Sequence, residues 1–414
     1  MKQFKKFTLS YLFFITVFAI CIIAVNWLVN PYDIYNPPHF KYFEKKPLVS
    51  THLRLVKAMA IQLKKPEYII LGSSTAETGF DPDKLSADKN NSYNLGLPGA
   101  NIYEVLRYLQ HAQSIKPLKK VILVVNFFMF NAYLDNKVDF DETILNVDKN
   151  ETKSQRSLNT LSSTLISFDA LKASIETIKG QNADNVYQNN GQLMINFREK
   201  QISKLKGYKK NFELVESYNK ETFFPPPQKE YSFKNPQSNV NTFNYLSKII
   251  DICEKNNTEL VIVIAPEHVR LLETYKLLNL WDKYEEWQVR IGKLIDQHNK
   301  KYPEHPFKIW AFNKINYISS ERLPDSSESI RSMKWFWDPF HFKNALGNLI
   351  LDYISDEKNL NNISNIASSL TESTLNKTLK ANRRMLSRWE SLNTKLVEEL
   401  KINLNKSKNQ NANL

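Results

Sequence analysis

A serine, a histidine and an aspartate held in line can break an acyl bond, and this sequence carries all three in short, well-placed motifs. The apolar, β-prone run Ile69-Ile70-Leu71 stops at Gly72-Ser73-Ser74-Thr75. A glycine followed by small hydroxyl residues at the carboxyl end of a strand sits where open α/β sheets place their ligands. A serine hydroxyl is a poor nucleophile until a base takes its proton, and that base needs a carboxylate to fix its tautomer and balance its charge. Trp337-Asp338-Pro339-Phe340-His341-Phe342 supplies base and carboxylate on one loop, ahead of Asn344, Gly347 and the apolar run Leu349–Ile354. Taken singly, Gly-Ser-Ser is a common loop, and Asp-x-x-His is more often a cap beside an ordinary histidine. Together, one at the end of the first strand and the other just before the last helix, they assign Ser74 as nucleophile, His341 as general base and Asp338 as its orienting carboxylate.

In this order the blocks resemble those of the SGNH (GDSL-like) hydrolase and acyltransferase superfamily, whose first block holds the nucleophile in Gly-Asp-Ser and whose last is Asp-x-x-His. Asn94-Leu95-Gly96-Leu97-Pro98-Gly99 is similar to the block that offers a glycine N–H, and Asn126 to the block that offers an asparagine side chain. The resemblance therefore implies an oxyanion hole made by the Ser74 N–H, Gly99 and Asn126. It covers residues 65–130 and 255–355. Ser73 stands where the family has Asp, and the third block reads Val125-Asn126-Phe127-Phe128 instead of Gly-x-Asn-Asp.

A Gly-Ser-Ser block behind one N-terminal membrane helix is most similar to the envelope acyl-transfer branch, which includes the D-alanyl transfer protein of teichoic acid and, more distantly, the alginate acetylation proteins. The resemblance implies a membrane-anchored O-acyltransferase or carboxylesterase acting on acyl groups, O-acetyl above all, of a cell-envelope polysaccharide. It also implies an integral membrane protein as acyl donor. The alternative is a non-catalytic SGNH-like assembly or partner-binding protein of the same polysaccharide modification.

Two more residues are candidates for touching substrate: Asn94 in the second block, and His268 in Pro266-Glu267-His268 at the end of a later strand. A histidine opening a helix is, however, more often a polar first-turn residue than a ligand. The other histidines, His39, His52, His111, His298 and His305, have no spacing that gathers ligands around a metal, and neither H-E-x-x-H nor paired cysteines occur. No catalytic metal and no cofactor is expected, and there is no glycine-rich phosphate loop. Arg54 and Lys57, just before the first strand, read as solvated surface charge, with anion binding as the other use.

The scaffold for these groups is read from hydrophobic patterning. Phe7–Val29 carries no charged residue and reaches the ~20 residues a helix needs to cross a bilayer. Lys2, Lys5 and Lys6 precede it, so the N-terminus belongs in the cytoplasm and the bulk of the chain on the far side, periplasmic or extracellular. A cleaved signal peptide would have a shorter apolar core, whereas Trp27-Leu28-Val29 prolongs this one. Cys21 and Cys253 are the only cysteines and Cys21 lies in the span, so no disulfide framework stabilises the outer domain. The net charge of +13 is scattered and forms no nucleic-acid module; an anionic membrane or glycan is the better match.

Continuous apolar runs at Glu67–Leu71, Ser92–Leu95, Lys120–Asn126, Glu259–Ala265 and Phe307–Phe312 predict strands buried on both faces. Amphipathic stretches Ile102–Ser114, Asn241–Asn256 and Leu280–Lys300 predict crossover helices between them. The fold class is α/β, a doubly wound three-layer sandwich around a parallel sheet of about five strands. The domain reading is a cytoplasmic tip and anchor over 1–30 and a surface stalk with entry helix over 31–64. The sandwich occupies 65–131 and 240–355, split by an insertion or lid over 132–239 that contains Pro225-Pro226-Pro227. A polar linker with a C-terminal amphipathic helix over 356–414 completes it.

Overall fold

In a computed structural model the chain divides into two compact units, residues 1–65, 110–115 and 138–188, and residues 66–109, 116–137 and 189–414. The structure describes residues 2–35, 37–145, 147, 162–224, 231–324, 333–355 and 366–405; the Pro225–Pro227 triplet lies outside them. The stretch 132–239 is thus shared between the two units.

The smaller unit begins with helix α1 (Lys2–Val29), of which Phe4–Val29 is long and apolar enough to cross a membrane. Phe7 and Phe14 on it are 71% and 68% exposed, an apolar surface that water disfavours and lipid accepts. The helix stops where Asn30 takes a left-handed conformation (φ 47°) and its Oδ1 accepts the Ile34 and Tyr35 N–H groups. Asn26, in the last turns, is pinned by Leu165 O and by the Ser174 hydroxyl.

The segment expected as a surface stalk is instead partly core. Tyr32 and Ile34 pack with Val49, with Leu53, Val56 and Met59 of α2 (Leu53–Lys64), and with Ala173 of a later helix. Arg54 and Lys57 are corrected too: both are buried, Arg54 in an ion pair with Asp139 at 2.9 Å and Lys57 over the Tyr187 ring. Burial of a charge is tolerated when a partner replaces its water, and these partners lie far along the sequence.

The larger unit is built on a six-stranded sheet. Strands β1 (Tyr68–Gly72), β2 (Ser92–Gly96), β3 (Lys120–Val125), β4 (Glu259–Ile264) and β5 (Lys308–Ala311) are parallel, in the order β2-β1-β3-β4-β5. Ile69–Leu71, Val121–Val125 and Leu260–Ile264 are almost wholly inaccessible, as strands covered on both faces must be. Each such side chain contributes roughly 1.5–3 kcal/mol of burial. A two-residue strand β6 (Ser368–Ser369) pairs antiparallel with Trp310 and Ala311 at the edge; Ser-Ser carries no apolar signature by which a strand could be anticipated.

The order places β2 and β3 on opposite sides of β1, so the chain reverses direction across the sheet between β1 and β3. In such sheets the crevice at the carboxyl ends of those two strands is where ligands bind. Helix α3 (Ser74–Gly79) leaves β1 at this point, and α4 (Ile102–Ile115) follows β2. The C-terminal residues form two helices, Glu372–Leu392 and Thr394–Asn405.

The helix Asn344–Ser355, which follows the Asp338–His341 loop, presses directly on α3. A Cβ on Gly347 would lie 1.8 Å from the Gly79 carbonyl oxygen, and one on Gly79 would lie 2.0 Å from the Phe342 ring. Both contacts need glycine, and they set the distance between the start of α3 and the loop that ends in Phe342. Gly347→Ala is expected to lose about 1–3 kcal/mol through overpacking, read as a lower urea unfolding midpoint, and to lower any activity that depends on that distance.

Candidate active site

β1 ends at Gly72, whose φ of 151° and whose missing Cβ, which would sit 2.5 Å from Val124 O, let the chain turn off the sheet edge. Ser73 then caps α3, its Oγ accepting the Thr75 N–H, and Ser74 is the first residue of the helix. Ser73 and Thr75 are fully buried while Ser74 is half-exposed. The alternation sends one hydroxyl of the three towards the crevice. At the first turn of a helix the Ser74 N–H has no partner within the helix, which suits an oxyanion donor.

The last loop is a tight hairpin. Trp337 N–H bonds His341 O, Lys343 N–H bonds Trp335 O, and Phe336 pairs with Phe342. Asn211 Nδ2 holds Trp337 O, and His268 N–H holds Pro339 O. At its tip Asp338 is wholly buried, its Oδ1 accepting the Phe340 and His341 backbone N–H groups and its Oδ2 lying 2.7 Å from His341 Nδ1. His341 Nε2 is 2.8 Å from Ser74 Oγ. With Asp338 accepting, Nδ1 carries the proton and Nε2 is the acceptor for the Ser74 hydroxyl, the arrangement required of a general base. The structure therefore brings together Ser74, His341 and Asp338 from two ends of the sequence. Phe128 and Phe223 stack at 4.1 Å beside Phe340 and wall the loop. No protein-family model matches the chain, and no curated protein matches it.

Burial pushes the His341 pKa down; Asp338 pulls it up and Arg198 pushes it down again, leaving it lowered from 6.5. Burial would raise the Asp338 carboxyl, but the attraction of His341, its ring N–H, Arg198 and the His341 backbone N–H together hold it lowered. Both shifts keep a carboxylate beside a neutral imidazole at neutral pH. Because the unfolded chain then binds more protons just below pH 6.5, His341 also makes the fold less stable as pH falls through that region.

Arg198, on α6 (Ile195–Lys204) after α5 (Phe168–Lys179), is held by Thr78 Oγ1 of α3 and by Gln201. Sequence reading missed it, since nothing in the stretch 132–239 marks it. Its cationic influence predicts a pH effect: the acid limb of kcat/KM is expected below pH 6.5, and Arg198→Gln is expected to move that limb upward while Arg198→Lys leaves it nearer the wild-type position. A pH–rate profile of the three proteins checks this.

Gly99 lies on the same edge, after β2, in a left-handed conformation (φ 63°). Lys137 lies against it, close enough that a Cβ on Gly99 would sit 2.4 Å from Lys137 Cε. Asn126 follows β3 but is 1% exposed. Its Oδ1 accepts the Ser73 and Thr75 hydroxyls at 2.9 and 2.7 Å. Its Nδ2 is enclosed, with no partner in hydrogen-bonding geometry among the described residues, and acts on the Glu267 carboxyl. In this arrangement Asn126 braces the segment around Ser74 and offers no N–H to the crevice.

Asn94 and His268 are likewise bracing groups. Asn94 is fully buried, donates to Ala76 O and Phe80 O and accepts the Gly96 N–H, so it locks α3 onto β2. His268 is buried between Phe212 and Phe336, with Nδ1 accepting the Arg270 N–H and Nε2 donating to Glu321 O. Burial pushes it down to about 4, so it stays neutral. Its neighbour Glu267 is the residue that turns towards Asn126, bonded by the Tyr275 and Tyr284 hydroxyls and pushed up to about 7 by burial. Among the described residues no cluster of three or more His, Cys, Asp or Glu is poised for a metal.

Proposed function

We propose that the chain is a membrane-anchored serine acyltransferase or esterase acting on acyl groups, O-acetyl above all, of a cell-envelope polysaccharide. The observation that carries the reading is the unbroken line from half-exposed Ser74 through His341 to buried Asp338. Ser74 Oγ attacks the acyl carbonyl as its proton passes to His341 Nε2. The bond to the donor's leaving group then breaks, and His341 returns the proton to that group. An acceptor hydroxyl, from a sugar or from water, next gives its proton to His341 while it attacks the acyl carbon, and Ser74 Oγ departs with that proton. Asp338 steadies the imidazolium at each step, and backbone N–H groups of Ser74 and Gly99 receive the oxyanion.

The helix α1 favours transfer over simple hydrolysis, because an anchored enzyme can take its acyl group from an integral membrane partner and pass it to nascent polysaccharide outside the cytoplasm. The lysines at the N-terminus agree with that orientation. One observation favours the non-catalytic alternative: Asn126 Oδ1 is held by Ser73 and Thr75 and its Nδ2 is buried away from the crevice, so it gives the expected oxyanion hole no donor. Turnover of a chromogenic acetyl ester by the full chain in detergent separates the two. Turnover that disappears in Ser74→Ala of matched circular dichroism supports the enzyme; no turnover by the wild type speaks for the assembly protein, and turnover unaffected by that change contradicts Ser74 as the nucleophile.

A further inference from the structure

We propose that the larger unit carries a binding cleft for a neutral saccharide next to the Gly99 loop. The cavity measures about 430 Å³, within the usual size of ligand sites. It opens on the segments that follow β2 and β3 and on α8 (Thr242–Lys255), the helix leading into β4. Chain continuity and the Lys137 contact place it beside the Gly99 segment. Asn101 comes two residues after Gly99, and Asn136 directly precedes Lys137, the residue that lies against Gly99.

The lining tells what would fit. Tyr103, Tyr133 and Tyr245 are half-buried, and the rings of Tyr103 and Tyr245 sit 5.0 Å apart at 55°. Tyrosine offers a flat apolar face with a polar tip at little entropy cost. Asn136 adds an exposed amide that can both donate and accept. Asn101 is itself fixed, with its Nδ2 on Leu134 O and Asn136 Oδ1 and its Oδ1 on the Glu104 N–H, so the wall is formed before any ligand arrives.

A sugar ring presents the matching surfaces: a C–H face for the aromatic rings and hydroxyls for the amides. Other ligand chemistries fail. None of the fourteen lining residues is Lys, Arg or His, and Asp135 is the one charged group among them; a phosphate or carboxylate ligand would meet no cation and one like charge. An aliphatic acyl chain would strip the amides of water and return nothing. Use of this cleft for the acceptor of an acyl transfer rests on the function proposed above, whereas saccharide binding itself does not.

The test uses the full chain carrying Ser74→Ala, in a detergent without a sugar headgroup, titrated calorimetrically with maltotriose, cellotriose, N-acetylchitotriose and mannotriose. At least one trisaccharide is expected to bind, with affinity lowered at least about tenfold by Tyr103→Ala and by Tyr245→Ala and kept by Tyr103→Phe. Failure of all four to bind, or binding indifferent to both alanine changes in proteins of unaltered circular dichroism, overturns the proposal. Binding that stands while wild-type ester turnover is absent would remove the acyl-transfer reading and leave the cleft. Turnover without binding would do the reverse.

Discussion

Ser74→Ala is expected to lower turnover of an acetyl ester by a factor of about 10⁴ to 10⁶ while leaving the circular dichroism of the protein unchanged. The size reflects the group removed. In the proposed acyl transfer the Ser74 hydroxyl bonds the acyl carbon, and alanine would leave only positioning and backbone donors, which preserve a small residue of rate. The fold should not suffer, because Ser74 is half-exposed and among the described residues its hydroxyl bonds only His341, whereas the neighbouring Ser73 and Thr75 hydroxyls carry the structural bonds to Asn126. His341→Ala should cost nearly as much, and the double variant little more than either, since base and nucleophile act as one unit. Additive losses in the double variant would instead mean that the two residues work separately.

The second large effect lies away from the crevice. Arg270, on α9 (Val269–Leu277), meets Glu216, on α7 (Tyr208–Phe223), through Nε–Oε1 at 2.6 Å and Nη2–Oε2 at 3.0 Å, with both side chains buried. Asn403 Nδ2 adds a third bond to Glu216 from the C-terminal helix α13 (Thr394–Asn405). The helices α10 (Trp281–Lys301), α11 (Asn344–Ser355) and α12 (Glu372–Leu392) lie between α9 and α13 in the sequence. One ion pair therefore joins three distant segments. Arg270→Met is expected to cost about 3–5 kcal/mol, because Glu216 keeps its burial and loses its counter-charge. Burial already holds the Glu216 carboxyl above its usual range. The loss should therefore shrink as pH falls and Glu216 takes a proton, and Glu216→Leu added to Arg270→Met should recover much of it. Urea unfolding of the three variants at neutral and acid pH measures both trends.

The parts of this molecule that were legible in its sequence are those encoded locally. Ile69–Leu71, Val121–Val125 and Leu260–Ile264 announce buried parallel strands because their apolar character is continuous over a strand's length. Asp338 and His341 announce a pair because they share one turn. Even Ser74 is marked by what surrounds it within four residues. The C-terminal leucines foretold helix but not its break: the chain turns at Asn393, and Leu400 and Leu404 are buried against the same unit.

What the sequence hid depends on pairing across long separations. Arg54 reads as a surface cation until Asp139 is brought to it, and Arg198 reads as one of many basic residues until α6 lays it beside Thr78 and the Asp338–His341 pair. In Pro266-Glu267-His268 the histidine draws attention by its chemistry, yet the packing of Phe212 and Phe336 encloses it and turns Glu267 towards Asn126. Asn126, read from the sequence as an oxyanion donor, spends its carbonyl on Ser73 and Thr75. The Ser73 hydroxyl reaches Asn126 across fifty-three positions of sequence, a pairing no local pattern announces.

Covalent labelling of the full chain by a serine-reactive fluorophosphonate, with fragment-ion mass spectrometry to locate the adduct, probes the nucleophile itself. One adduct is expected, on Ser74 rather than on buried Ser73, and it should be lost in His341→Ala. No adduct on the wild-type protein, or labelling that survives without His341, would contradict a nucleophile activated by that histidine.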